Sequence, residues 1–233
     1  MNVEVLSIPT EKPRRDSYDL IITIDTLRAS TVIIKALYNS AMGVYPVSTL
    51  SEAKKLKTIL PSAILAGERK SFKIKGFDLG NSPLEFTKDN VNGKNIVLTT
   101  SNGTKVVKKF KKFGKTVTMA LSNVKSVVEY SKNFQNILVV CSGSHGEVAM
   151  EDLYTAGVFV SMLEMPALND GGLIARALSN EKPIKILKTA HHGRYLSEKG
   201  MAEDLVESCI ERDVIPVLKR DPSGLNFFGR QIT

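Results

Sequence analysis

The chain has 233 residues, 42% hydrophobic and 24% charged, with two cysteines and a net charge of +8. That balance supports a packed core and excludes disorder or low complexity as the main state. It also holds no apolar run near the roughly 20 residues of a membrane span, and two cysteines cannot build a disulfide framework.

The expectation is a compact α/β domain over residues 1–233, as one body or two intimately packed lobes. Residues 1–9 lack the basic start and long apolar stretch of a secretory signal, so a cytoplasmic setting is expected, with no membrane partner. The positive charge suits a polyanion or a small anionic substrate. Most of the lysines read as solvated surface.

A strand is predicted over 3–8. Residues 19–24 form a short β-branched run that reads as a buried strand. Asp25-Thr26-Leu27-Arg28-Ala29-Ser30-Thr31 follows, then a helical pattern over 32–38. A carboxylate at a strand end can hold Mg²⁺ or act as a nucleophile, and an arginine three residues on can fork onto an anion. An N-cap aspartate beside a surface arginine explains the same residues. A strand over 44–47, a helix over 50–59 and a strand over 63–66 come next. Gly67-Glu68-Arg69 follows the last strand. Residues 70–94 carry Gly76, Gly80, Pro83 and Gly93 with little periodicity, and read as an ordered, functional loop.

The strand over 95–98 passes through Thr99-Thr100-Ser101-Asn102-Gly103-Thr104 into a helix with Val106, Val107 and Phe110 on one face. Hydroxyls and backbone N–H groups together make an anion cradle. A capped helix start is the simpler reading of that segment, and no G-x-x-x-x-G-K-[ST] pattern occurs. A strand over 116–119 and a helix over 124–132 precede the strand over 137–140. The next loop is Cys141-Ser142-Gly143-Ser144-His145-Gly146, followed by a helix through Leu153, Ala156, Gly157 and Val160. A cysteine-phosphatase loop needs an arginine where Glu147 stands, so Cys141 reads as a small buried residue. Glu151 and Asp152 fall in the first turns of that helix. Helices over 168–178 and 202–211 and a strand over 214–217 complete the chain. His191 and His192 are placed on a strand, where adjacent imidazoles point opposite ways, so one imidazole supporting an anion is expected rather than zinc.

This alternation predicts an α/β fold with a largely parallel or mixed sheet. In such sheets ligands bind outside the carboxyl ends of the strands, and the helices that follow aim their positive N-termini there. The loops that start at Asp25, Thr99 and Cys141 are therefore expected to meet.

Taken together, these motifs resemble one family. The segment from Asp25 to Thr31 resembles a D-x-x-R-A-[ST]-[ST] signature. Gly67-Glu68-Arg69 and Gly76-Phe77-Asp78-Leu79-Gly80-Asn81-Ser82-Pro83-Leu84-Glu85 resemble its most distinctive block. The segment from Thr99 to Thr104, Cys141-Ser142-Gly143 and Glu151-Asp152-Leu153 follow in the same order. His192-Gly193-Arg194-Tyr195-Leu196, Gly200 and Asp204 resemble its C-terminal block. The family is 2-phosphosulfolactate phosphatase, of coenzyme M biosynthesis, and the likeness covers roughly residues 1–220.

The resemblance implies a three-layer α/β/α protein and a Mg²⁺-dependent hydrolase that splits (2R)-2-phospho-3-sulfolactate into 3-sulfolactate and phosphate. Asp25, Glu68 and Asp152 are then expected on the metal side, with Arg28 completing the catalytic set. Arg28, Arg69 and Arg194 are expected on the anions. Thr100, Asn102, Gly103 and Thr104 would orient phosphate oxygens, with Ser142, Gly143 and His192 also at the substrate. If a phosphoenzyme forms, Asp25 is the candidate nucleophile. The expected partner is a small anionic ester rather than nucleic acid, and base rates favour a homodimer. Two other readings are a phosphatase for other 2-hydroxycarboxylic acid phosphates and a non-catalytic anion- or nucleic-acid-binding protein. The phosphatase reading requires Asp25 and Glu68 to share one cleft.

Overall fold

The computed structural model describes residues 1–231. Its strands are β1 (Asn2–Leu6), β2 (Leu20–Ile24), β3 (Gly43–Val47), β4 (Ile64–Arg69), β5 (Phe72–Lys73), β6 (Asn95–Thr99), β7 (Lys115–Met119), β8 (Asn136–Cys141), β9 (Ala167–Leu168), β10 (Pro216–Arg220) and β11 (Asn226–Arg230). Its helices are α1 (Ala29–Tyr38), α2 (Leu50–Ile59), α3 (Lys88–Val91), α4 (Gly103–Phe110), α5 (Val124–Ser131), α6 (Met150–Ser161), α7 (Asp170–Leu178), α8 (Pro183–Thr189), α9 (His191–Glu198) and α10 (Glu203–Ser208).

The strands form one mixed sheet in the order β5-β4-β6-β3-β11-β10-β7-β2-β8-β1-β9, with helices on both faces. Two parallel portions flank the β10–β11 hairpin: β4-β6-β3 on one side and β7-β2-β8-β1-β9 on the other. The hairpin joins each portion antiparallel, through the single pairs Phe228↔Val44 and Val217↔Val117. Three antiparallel steps reverse the strand direction, so the two portions would point their carboxyl ends to opposite edges of a flat sheet. Adjacent strands rotate by about 20–25°, so the five steps from β6 to β2 accumulate roughly 100–125°. That twist swings the two sets of carboxyl ends toward each other.

The central strands are buried on both faces, and successive side chains point to alternate ones. On β2, Leu20, Ile22 and Ile24 enter the largest core cluster, beside Val127, Phe159 and Val160 of α5 and α6. Ile21 points to the opposite face and packs with Val106 and Phe110 of α4. Around β3, β4 and β6 the same logic places α1 on one face, through Val32, Ile33 and Leu37, and α2 on the other, through Ala53 and Leu56.

Three expectations change. His191 and His192 begin a helix, α9, because Ala190 leaves α8 in extended backbone and 191–198 then carry an amphipathic helical pattern. Residues 70–94 hold β5, a 3-10 turn over Pro83–Glu85 and the short α3 instead of a loop alone. The last sheet element is a hairpin whose second strand, β11, the sequence reading lacks, and its first strand starts two residues later than expected.

α6 and α7 approach closely because Gly157 has no side chain. A Cβ there would stand 2.0 Å from the Ala175 carbonyl oxygen. Gly157→Ala is expected to force the helices apart and cost about 1–3 kcal/mol or more. Urea denaturation checks this, and an unchanged midpoint would contradict it.

Candidate active site

The loops after β2 and β6, the β4–β5 turn, Ser144 and His145 of the loop after β8 and the first turns of α9 border one cleft of about 350 Å³. Asp25, Arg28 and Glu68 line it together with Thr100, Asn102 and His192. The required sharing of one cleft by Asp25 and Glu68 is met. The β2 and β6 loops touch because Gly103, the first residue of α4, is small. A Cβ there would lie 2.5 Å from Asp25 Oδ2 and 2.9 Å from the Ala29 Cβ.

Each buried carboxylate ties loops together through backbone N–H groups. Asp152 Oδ1 accepts from Thr26 N at 2.8 Å and Oδ2 from Gly143 N at 3.2 Å. Glu68 Oε2 accepts from Ser71 N at 2.8 Å and Oε1 from Ser101 N at 2.7 Å. Asp25 Oδ1 accepts from Ala29 N at 3.1 Å, in the first turn of α1. Both oxygens of Asp152 and of Glu68 are thus engaged with the chain, but Asp25 and Glu68 line the cleft and Asp152 lies behind it.

Arg28 is buried, and its Nη1 donates to Asp204 Oδ2 at 2.6 Å while Nη2 donates to Ser71 O at 2.7 Å. Its Nε has no hydrogen-bond partner among the described residues. Ser71 sits beside Lys70 in a two-residue turn between Arg69 and Phe72, with φ of +54° at Lys70 and +68° at Ser71. Such turns favour Asn-Gly. Here Lys-Ser is held instead by Glu68, by Arg28 and by the Tyr195 hydroxyl, which donates to Lys70 O at 3.4 Å. His192 lies between two groups: its Nε2 is 3.3 Å from Ser71 Oγ, and its Nδ1 is 3.7 Å from Glu151 Oε1.

Other expected residues divide. Thr100 and Asn102 line the cleft. Thr104 is buried one step behind, where its N–H donates to Thr100 Oγ1 at 3.3 Å. Ser142 and Gly143 also lie behind the cleft; Ser142 Oγ is buried without a partner. The structure does not bring Arg69 and Arg194 into the cleft lining. Arg69 turns back onto β6, donating to Thr99 Oγ1 at 3.0 Å. Arg194 is exposed on α9 and donates to Thr189 O at 2.9 Å, while His191, His192 and Tyr195 take the inward face. Sequence reasoning gave no role to Lys70, Ser71, Asn81 or Glu151. The only signal for the first two was their place next to Gly67-Glu68-Arg69. Glu151 was masked by its acidic neighbour Asp152.

Burial, reinforced by the charge of Glu68, pushes the Asp25 carboxyl up to about 6 against its N–H donors and Arg28. Burial and the charge of Asp25 push Glu151 up to about 7. Asp152 is raised by burial and by Asp25 and Glu151. Burial, then Arg28, pulls His192 down to about 4, so its contact with Glu151 is not an ion pair at neutral pH.

Among the described residues, no group of three or more His, Cys, Asp or Glu side chains is arranged as a preformed metal site. The donors nevertheless suit a hard cation. Asp25 and Glu68 offer carboxylate oxygens in one cleft, and Mg²⁺ typically keeps several waters and takes one or two carboxylates.

Comparison with known proteins adds the chemistry. The model of the family described as 2-phosphosulpholactate phosphatase matches residues 6–220. A probable 2-phosphosulfolactate phosphatase of Thermotoga petrophila is 40% identical over 197 residues, covering 83% of this chain and 85% of the relative. One from Caldanaerobacter subterraneus is 37% identical, over 85% of this chain and 87% of the relative. One from Clostridium tetani is 34% identical, over 97% and 99%. Fold, cleft and these matches define the class: an α/β enzyme that hydrolyses phosphoric monoesters. The chain belongs to the 2-phosphosulpholactate phosphatase family.

The raised Asp25 carboxyl has a consequence for stability. Its folded value of about 6 lies above its ordinary 3.8. Between those values the folded state binds more protons than the unfolded one, so this group's contribution falls as pH rises. In EDTA, Asp25→Asn is expected to be more stable than wild type at pH 7.5, by an amount on the order of 1–3 kcal/mol. The gap should close near pH 4. Urea denaturation at the two pH values checks this, and a variant no more stable at pH 7.5 contradicts it.

Proposed function

We propose that this enzyme hydrolyses (2R)-2-phospho-3-sulfolactate to 3-sulfolactate and phosphate, with Mg²⁺, as a step of coenzyme M biosynthesis. One observation carries the reading. A cleft large enough for a small ester sets the carboxylates of Asp25 and Glu68 beside a buried guanidinium, Arg28, whose Nε–H has no partner among the described residues. The substrate has a phosphate, a carboxylate and a sulfonate, so it needs cationic partners on several sides. The names of the relatives supply the substrate class.

Asp25 and Glu68 would hold the cation. When bound, Mg²⁺ neutralises charge on the transferring phosphoryl group. Asp152, with both oxygens on backbone N–H groups, supports the metal side by fixing the β2 loop that carries Asp25. Arg28 and Lys70 face the anionic groups of the ester, and Thr100 and Asn102 at the N-terminus of α4 orient phosphate oxygens. His192, kept neutral at pH 7 by burial and Arg28, offers its Nε2 for a hydrogen bond at the ester. The two free cysteines, one fully buried, agree with a cytoplasmic setting.

Phosphate release from a panel of 2-hydroxy-acid phosphates tests this. Release is expected from 2-phospho-3-sulfolactate with Mg²⁺, lost in EDTA and restored by added Mg²⁺. Preferred turnover of another member of the panel would reassign the substrate. No release from any member would sink the reading. Arg28→Ala should lower kcat by roughly 10² to 10³ per folded molecule. It should also cost about 3–5 kcal/mol of stability, because Asp204 is left buried without its partner.

A further inference from the structure

We propose that Asp204 is a positioning residue for hydrolysis: with Ser82 it fixes the Arg28 guanidinium so that the Nε–H is presented to an anionic oxygen of the ester. This rests on Arg28 acting at the anion, as proposed above. The observations are geometric. Asp204 and Arg28 are 1% and 2% exposed, and they meet across 176 residues of sequence. Asp204 Oδ2 accepts from Arg28 Nη1 at 2.6 Å, and its other oxygen, Oδ1, accepts from Ser82 Oγ at 2.5 Å. Both carboxylate oxygens are therefore occupied, and the group cannot rotate without losing one bond.

On the arginine side, Nη1 is held by Asp204 and touches Met201 Sδ at 3.1 Å, while Nη2 is held by Ser71 O at 2.7 Å. A guanidinium is planar, so fixing both terminal nitrogens fixes the direction of the third N–H. That third group, Nε, is buried without a partner among the described residues. Native proteins rarely leave a buried donor unpaired, and each case calls for an explanation. An anionic ligand in the cleft that Arg28 lines supplies one.

A purely structural role explains less. A buried ion pair is weak evidence for stability, since apolar residues of similar volume often replace one without loss. The pair does, however, add a polar tie between α10 and the β2 loop, beside the apolar contact of Leu205 with Leu27. Asp204 starts α10, and Ser82 lies in the segment between β5 and the Pro83–Glu85 turn. Together they orient a residue that belongs to the β2 loop.

A double-mutant cycle tests the assignment, run with 2-phospho-3-sulfolactate or with any phosphate ester that the wild type turns over. Asp204→Asn is expected to lower kcat/KM by about 10²-fold, the scale set by small misplacements of catalytic groups. Arg28→Gln should lower it by at least as much. In the double variant the loss should equal that of Arg28→Gln alone, within about twofold, because Asp204 acts only through Arg28. Multiplied losses, or wild-type kcat/KM in a folded Asp204→Asn protein, overturn the proposal. If Asp204→Asn does not fold, Ser82→Ala carries the test. It should cost about fivefold to tenfold in the wild type and nothing beside Arg28→Gln, and any other pattern overturns the proposal. A wild type that releases phosphate from other esters but not from 2-phospho-3-sulfolactate removes the substrate reading and leaves this cycle standing. A wild type that hydrolyses no phosphate ester removes both.

Discussion

Two neighbouring strand ends, those of β2 and β8, are tied by one buried carboxylate. Asp152 accepts the N–H of Thr26 on one side and that of Gly143 on the other. The path of the β2 loop depends on that bridge, and so do the positions of Asp25 and Arg28. Glu68 repeats the device in the other parallel portion, joining the β4–β5 turn to the start of the β6 loop. Backbone donors of this kind ordinarily hold a carboxyl low. Here burial and neighbouring charge outweigh them, and Asp25 and Asp152 are both pushed up. The site thus gathers negative charge faster than its own donors can offset it. An added positive charge at the cleft relieves that imbalance, which is the physical basis for expecting a cation there.

The sheet makes this gathering possible in an indirect way. A fully parallel sheet would deliver all the carboxyl ends to one edge. In this chain the β10–β11 hairpin reverses one portion against the other, with a single residue pair at each seam. Twist then has to bring the ends together. The close contact of Gly103 with Asp25 and Ala29 marks where the two portions meet. α1 and α4 leave the meeting point from opposite portions, and site side chains take N–H groups of their first turns: Ala29 N donates to Asp25 Oδ1 and Thr104 N to Thr100 Oγ1. The positive dipole ends of the two helices add potential where the ester phosphate is proposed to lie.

Much of this was legible in the sequence. The β-branched runs of β2, β6 and β8 and the polar loops after them read directly; their convergence was expected from a parallel sheet, whereas the β10–β11 hairpin reverses one portion and twist brings the ends together. The family block from Gly76 to Glu85 also carried its own signal. Other features were not legible for identifiable reasons. Arg69 and Arg194 carry the right charge, but which way a long side chain turns depends on neighbours distant in sequence. Arg69 finds Thr99 on β6, and Arg194 finds Thr189. Glu151 and Asp152 are adjacent, yet a helix turns them by about 100° relative to each other, so one ties loops and the other faces His192. β11 is short, glycine-containing and rich in Phe, and its strand identity comes from pairing with β10.

The last third of the chain is best understood through the site. α8, α9 and α10 follow the final parallel strand, and their buried apolar contact is a small cluster of Leu187, Leu196 and Leu205 around Leu27. Leu27 belongs to the β2 loop, between Thr26, which Asp152 holds, and Arg28, which Asp204 holds. The three helices therefore pack onto the loop that carries the cleft-facing Asp25 and the buried Arg28. They also supply His192, Tyr195 and Asp204 to its surroundings. A segment that packs its buried leucines around Leu27 holds the β2 loop of the candidate site in place. This explains why the chain spends polar, buried residues there where apolar packing would have been simpler.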